Sequence, residues 1–192
     1  DTGAYASVGM KVLERAAGHA TSVYSIPIVS IKSRAIYTNN VPCGAMRGFG
    51  VNQINFAIES CIDELCLKGG FDRWQIRYDN AIKPGDRTST GQKIISGIGI
   101  QKTLMAVKKH FENAKYAGIA CGMKNTGIGN GVPDDSKVRV IIDSPEQITI
   151  HHGWTEMGQG VFTMAIQFLC EATGVNPDLV SVKVDTSQEV PC

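Results

Sequence analysis

The sequence predicts an α+β fold, with helices and strands in mixed order. Three observations carry this. Apolar residues recur at helical spacing in several separate stretches. Residues 138–150 instead alternate apolar and polar on either side of a turn, as a hairpin does. Glycine, proline and asparagine separate these stretches, and no internal repeat or low-complexity segment joins them.

Residues 1–20 open with a turn-like Asp1–Ala6. Val8, Val12 and Leu13 then sit at helical spacing, with Gly18 as a stop. Glu14 and Arg15 are adjacent, so they do not face each other, and by themselves both read as solvated. Residues 22–38 are β-rich through Val23, Tyr24, Ile26, Ile28, Val29, Ile31, Ile36 and Tyr37. Pro27 confines that segment to an edge or splits it. Asn39, Asn40 and Pro42 make a turn.

From about Asn52 to Lys68 the pattern is helical, with Ile54, Ile58, Cys61, Ile62 and Leu65 on one stripe. Gly69 and Gly70 end it. Asp72 is a candidate N-cap for a short helix through Trp74, Ile76, Arg77, Tyr78 and Ile82. Pro84-Gly85-Asp86 breaks that helix. The polar stretch 87–98 is the expected boundary between a first part, 1–86, and a second, 99–192.

Ile100, Leu104, Val107 and Phe111 predict a further helix, with Lys102, Lys108 and Lys109 on its solvated face. Ala117–Cys121 reads as a short apolar strand. Gly127-Ile128-Gly129-Asn130-Gly131 superficially suggests a dinucleotide-binding loop. Pro133 and then a strand follow it, not a helix, so it reads as a plain loop. Lys137–Ile142 and a return through Ile148 and Ile150 form the hairpin. Val161, Phe162, Ala165, Ile166, Leu169 and Cys170 make a last amphipathic helix, closed by Gly174. Val180, Val182 and Val184 alternate as a final strand.

A chain of 192 residues can bury a sizeable core. With 43% hydrophobic and 19% charged residues it reads as a soluble globular protein. A net charge of +1 argues against a nucleic-acid or anionic-membrane surface. No apolar run is long enough to span a bilayer, and no signal peptide is recognisable. The 6 cysteines form no Cys-x-x-Cys pair. Scattered thiols at apolar positions point to a reducing, cytoplasmic setting without structural disulfides. Both ends, at Asp1 and at Cys192, read as cuts in a longer chain.

Two loops carry the chemistry. Cys43-Gly44-Ala45-Met46-Arg47-Gly48-Phe49-Gly50 sets a permanent cation and an aromatic among glycines, directly before a helix. His151-His152-Gly153-Trp154-Thr155-Glu156-Met157-Gly158-Gln159-Gly160 also opens a helix. Its Gly158-Gln159-Gly160 offers backbone N–H groups and a helix-dipole end to an anionic oxygen. Gln159 can donate and accept at once, which suits a heteroatom-rich ring. Alone, the first loop reads equally well as a tight strand-to-helix connection with Arg47 in a salt bridge and Phe49 in the core, and the second reads better as a well-capped helix. His151 and His152 are strand neighbours pointing to opposite faces, so they are not a ligand pair. His19 and His110 read as structural or surface residues.

Together the loops resemble the molybdenum hydroxylase family, the xanthine dehydrogenases and aldehyde oxidases. There an Arg-Gly-Phe-Gly loop and a Thr-Glu-Met-Gly-Gln-Gly loop both face a molybdenum–pterin cofactor. The segment from Phe71 to Thr88 is similar to the family's in order and spacing. The match covers an internal part of the family's molybdopterin-binding large subunit. The resemblance implies that Met46, Arg47, Met157, Gly158 and Gln159 contact the cofactor. It implies that Phe49, Arg15 and Thr126 contact substrate, and that no side chain ligates the metal.

Gly48 stands where the carbon monoxide dehydrogenase branch carries a cysteine, which argues against that branch. The separation of Arg15 from Arg47 is that of the purine-hydroxylating branch, where the first arginine is catalytic. The implied reaction is hydroxylation of an electron-poor ring carbon with oxygen from water. Iron–sulfur clusters and FAD are expected on other domains or subunits. So are the remainder of the large subunit, a catalytic glutamate and a Gly-Gly-Gly-Phe-Gly loop, and this chain alone is expected to be inactive. Two alternatives stay open: another N-heterocycle or aldehyde hydroxylase of the family, and a non-catalytic cofactor-binding or interaction fragment.

Overall fold

The computed structural model describes residues 1–127, 133 and 135–185. Its element order is α1 (Gly9–Gly18), α2 (Val51–Gly69), α3 (Arg73–Asn80), α4 (Ile100–Asn113), β1 (Val138–Ser144), β2 (Gln147–His152), α5 (Val161–Thr173), a 3₁₀ turn (Pro177–Leu179) and β3 (Val180–Lys183). The class is α+β, as the sequence predicts. By contact the chain forms two compact units, Asp1–Asn125 and Thr126–Cys192.

In the first unit, the helix ends follow their local chemistry. Gly50 enters α2 and Gly70 leaves it, both in the left-handed region. Gly70 is the glycine cap that accepts this conformation without a Cβ penalty. Asp72 caps α3, its side chain accepting the Gln75 N–H at 2.6 Å. The core gathers Val23, Tyr24, Trp74, Ala81, Leu104 and Cys121, with Ile58, Ile62 and Phe111 packed against it. The Trp74 indole N–H donates to the Leu104 carbonyl at 2.9 Å, tying α3 to α4. Lys108, expected on a solvated face, lies 4.2 Å over the Trp74 ring and so covers this core.

An ionic network lies beneath α2 and α3. Arg77 is fully buried. Its Nε donates to Glu59 at 2.7 Å, one terminal nitrogen to Asp63 at 2.9 Å and the other to the Arg73 carbonyl at 3.0 Å. Tyr24 donates its hydroxyl to the same Glu59. Burial lowers the Arg77 pKa, but the bonds to Glu59 and Asp63 outweigh it and leave the pKa raised.

Two strand expectations fail in this unit. Residues 22–38 form only an isolated bridge, Tyr24 to Ala81. Ile28, at 90% exposure, lies in solvent. β-propensity needs a continuous ladder to satisfy the backbone. This segment meets its described neighbours only in isolated bonds, among them the Ser25 N–H to the Asn80 carbonyl at 2.8 Å, the Thr2 N–H to the Ile36 carbonyl at 2.9 Å and the Thr38 N–H to the Gly3 carbonyl at 3.0 Å. Ala117–Cys121 is likewise not a strand; it packs Ile119 and Cys121 on the core without a ladder. The polar stretch 87–98 lies within the first unit, where Arg87 and Lys93 form a bridge.

The second unit is a three-stranded sheet in the order β1-β2-β3 with α5 on one face. β1 and β2 pair antiparallel, Val140 opposite Ile150. β2 and β3 pair parallel, Ile150 opposite Val182. A parallel pair needs a crossover, and α5 supplies it. Ile150, Ala165 and Val180 are its buried centre. The predicted strand end at Val184 falls just beyond β3. Most of the loop 127–131 lies outside the described residues.

Candidate functional site

The Arg47 loop is built from two overlapping turns. The Phe49 N–H donates to the Met46 carbonyl at 2.8 Å and the Val51 N–H to the Gly48 carbonyl at 3.1 Å. Gly48, Phe49 and Gly50 all take positive φ, at 98°, 52° and 98°. For phenylalanine that is a strained conformation, of the kind found at ligand sites. Asn52 locks the loop by donating to the Arg47 carbonyl at 2.8 Å. Its side chain lies so close over Gly48 that a Cβ there would stand 2.0 Å from its oxygen. A side chain at position 48 would have to displace the Asn52 amide and hold a φ that L residues rarely adopt. Met46 and Arg47 are exposed and Phe49 is half-buried.

Gly50 brings this loop against α1, where a Cβ would stand 2.1 Å from the Val12 carbonyl oxygen and 3.0 Å from the Ala16 nitrogen. Arg15 lies between those residues in the chain and is half-buried in the last turn of α1. Its neighbour Glu14 pairs with Lys11 at 3.1 Å. Arg15 itself makes no ion pair among the described residues. His19 fixes this turn. Its Nε2 accepts the Asn125 N–H at 3.2 Å, so the ring proton sits on Nδ1, which donates to the Arg15 carbonyl at 2.9 Å. Desolvation first, and then the Arg15 charge, hold the Lys124 ammonium below its ordinary range. Two cations thus lie near each other.

In the second unit, the loop after β2 differs from its simplest reading. The N–H groups of Gly158, Gly160 and Val161 are already engaged by the Glu156 carboxylate, at 2.7, 3.1 and 2.8 Å. The helix end is thus not open to an outside anion. These bonds, led by the one from Gly160, hold the Glu156 carboxyl below its usual range. Gln159 also closes on the loop, its Oε1 accepting the Met157 N–H at 2.6 Å and its Nε2 donating to the Thr155 carbonyl at 2.8 Å. Each of these atoms keeps capacity for one more bond, a lone pair on oxygen and a hydrogen on nitrogen.

Met157, Gly158 and Gln159 are all exposed. Gln159 borders a cleft of about 730 Å³ with Trp154, Val138, Met164 and Phe168. Thr126 is exposed at the start of this unit. His152 is fully buried and stacks on Trp154 at 4.5 Å, and desolvation lowers its pKa. His151 faces a separate groove with Thr149 and Lys183. The two histidines therefore point to opposite faces, as strand geometry requires. Among the described residues, no group of three or more His, Cys, Asp or Glu side chains could hold a metal ion.

Met46 and Arg47 in the first unit, and Met157, Gly158 and Gln159 in the second, are the candidate cofactor contacts. Gln159 presents a donor and an acceptor from an exposed loop, and Arg47 brings a cation from another.

Comparison with known proteins gives the same class. Molybdopterin cofactor-binding domain models match residues 1–81 and 97–192. A probable xanthine dehydrogenase subunit of Bacillus subtilis is 33% identical over 201 residues, spanning 100% of this chain and 27% of that protein. An aldehyde oxidoreductase of Megalodesulfovibrio gigas is 33% identical over 170 residues, or 83% of this chain and 19% of that protein. The solved aldehyde oxidoreductase from Desulfovibrio gigas superposes with a TM-score of 0.81 at 26% identity, over 100% of this chain and 22% of its own. The chain belongs to the molybdopterin cofactor-binding family of xanthine dehydrogenases and aldehyde oxidoreductases. It spans 27% of the length of the B. subtilis relative.

Proposed function

We propose that this chain is part of the large subunit of a molybdenum-dependent purine hydroxylase of the xanthine type. The reaction would hydroxylate an electron-poor ring carbon with oxygen from water. The observation that carries the reading is Arg15. It is a half-buried cation, with no ion pair among the described residues, on the turn that packs against the Arg47 loop.

In this reading Met46, Arg47, Met157, Gly158 and Gln159 hold the cofactor, and Phe49 stacks on the flat substrate. The molybdenum–pterin group supplies the two-electron redox chemistry when bound. Attack on a purine carbon pushes negative charge toward the exocyclic oxygen, and the Arg15 guanidinium binds that charge. Such an interaction accelerates because it is stronger in the transition state than in the ground state. Thr126 is a further substrate contact. The base that moves the proton, the iron–sulfur clusters and the flavin belong to the rest of the enzyme. The five cysteines described are free, which fits a cytoplasmic site. No described helix is long and apolar enough to cross a membrane.

A second reading, hydroxylation of an aldehyde or another N-heterocycle, is favoured by two relatives. One is the aldehyde oxidoreductase, and the other is a nicotinate dehydrogenase large molybdopterin subunit of Eubacterium barkeri, 40% identical over 104 residues. The deciding experiment assays the full-length protein for molybdenum, pterin and oxidised-dye reduction with xanthine, nicotinate and benzaldehyde. The proposal expects bound molybdenum and turnover of xanthine. Turnover of only the other substrates selects the second reading. Absence of both metal and pterin would leave a non-catalytic interaction role.

A further inference from the structure

The start of α5 is an anion site filled from inside the chain. Backbone N–H groups at a helix start have no partner within the helix, and the dipole adds positive charge there. Glu156 occupies the position where an outside anion would sit. Its Oε1 accepts from Gly158 and Gly160, and its Oε2 from Val161. Charge-assisted bonds of this kind are stronger than neutral ones.

The left-handed φ of Gly158, at 90°, and of Gly160, at 75°, curls these N–H groups around a side chain only a few residues back. The Gln159 amide then bridges Met157 and Thr155 across the same loop. The loop is exposed, and no described side chain from outside it bonds to the Glu156 or Gln159 side chain. These two polar side chains thus bond within the loop, from Thr155 to Val161.

We propose that Glu156 is a positioning residue for the cofactor loop. Its carboxylate fills the amino end of α5, holds Met157–Gly160 in one shape, and leaves the cofactor to be met by the Gln159 amide, not by the helix end. This rests on the reading of Met157, Gly158 and Gln159 as cofactor contacts. Two consequences follow. A loop ordered before binding loses less freedom when the cofactor arrives, so cofactor is retained better. Removing the carboxylate uncovers the N–H cluster and creates a site for a free anion.

The test uses the full-length protein as wild type, Glu156→Ala, Glu156→Gln and Gln159→Ala. Pterin per polypeptide is measured after gel filtration. Melting is measured in inorganic phosphate against chloride at equal ionic strength. The proposal expects no phosphate-specific shift in the wild type and a clear upward shift in Glu156→Ala. It expects pterin content to fall by roughly tenfold or more in Glu156→Ala. Glu156→Gln, which keeps an acceptor oxygen, should retain an intermediate amount at unchanged melting temperature.

Full pterin content in Glu156→Ala, or equal phosphate protection of the wild type, would overturn the proposal. Should Glu156→Ala fail to fold, Glu156→Gln decides: pterin loss at unchanged melting temperature supports the proposal, and full retention overturns it. Gln159→Ala separates the two levels of the reading. If it keeps all its pterin, the loop is not a cofactor contact. If it loses pterin while Glu156→Ala does not, the positioning role alone fails.

Discussion

Gly50 lies so close to Val12 that a Cβ at Gly50 would stand 2.1 Å from the Val12 carbonyl oxygen. That contact seats the Arg47 loop on the helix that carries Arg15. The atom in the way is backbone and cannot rotate aside. Gly50 also holds φ at 98°, which L side chains rarely adopt.

Gly50→Ala in the full-length protein is therefore expected to separate the loop from α1. The forced backbone alone costs about 1–3 kcal/mol, before the steric clash. Chemical denaturation and pterin content report it. A variant with wild-type stability and full cofactor would show that the contact is dispensable.

Arg77 gives a second prediction. It is buried beside Glu59, at 2.7 Å, and the Glu59 side chain is itself only 9% exposed. Arg77→Met leaves the Glu59 charge uncompensated, a loss of about 3–5 kcal/mol for a broken buried pair. Denaturant midpoints of variant and wild type measure it. A loss under about 1 kcal/mol, the scale of a surface pair, would mean that water reaches Glu59.

Tyr24 sets an alkaline limit. Burial first, and then its hydrogen bond to Glu59, raise its hydroxyl pKa well above the ordinary 10.0. A pKa raised in the folded state contributes stability that is complete below the unfolded value and is lost as pH rises above it. Stability should thus fall above about pH 10, and Tyr24→Phe should remove part of that slope. Parallel unfolding curves from pH 8 to 11 for both proteins make the comparison. Identical slopes would exclude Tyr24 as the titrating group.

Much of this fold could be read from the sequence, because short-range chemistry sets it. Asp72, Gly70 and Gly174 mark helix ends by capping rules that need no tertiary knowledge. The hairpin at 138–150 follows from alternation alone. Residues 22–38 show the limit: their β-branched and aromatic content describes a surface fit for pairing, whereas pairing itself depends on a neighbour that is distant in sequence. The Arg77–Glu59 pair is invisible in the sequence for the same reason. The Glu156 cap does leave a signal, a carboxylate just before a glycine-rich helix start, but the same glycines point equally to an external anion. Arg15 has no local signal and stands out only by its separation from Arg47.

The proposed reading gives Arg47 a part in the chemistry and Phe49 a part in substrate binding. Arg47→Ala is expected to lower turnover per bound molybdenum much more than it lowers stability, because the side chain is exposed. Phe49→Ala is expected to weaken binding of flat substrates by about 1 kcal/mol, the size of one aromatic contact beyond area burial. Steady-state kinetics normalised to molybdenum separates the two. Unchanged turnover in the first, or unchanged substrate affinity in the second, would remove that residue from the site.

The substrate class rests on Arg15, and one measurement addresses it directly. Under the proposed reading, Arg15→Met in the full-length protein removes the charge that would meet a purine oxygen, while an aldehyde builds no charge at that end. The measurement is the ratio of kcat/KM for xanthine to that for an aromatic aldehyde, variant against wild type. The purine assignment predicts that the ratio falls by roughly 10²-fold or more, the scale of one lost charge-stabilising donor, with aldehyde turnover kept or raised. A ratio that does not move would place Arg15 outside the pocket and contradict the assignment to purines.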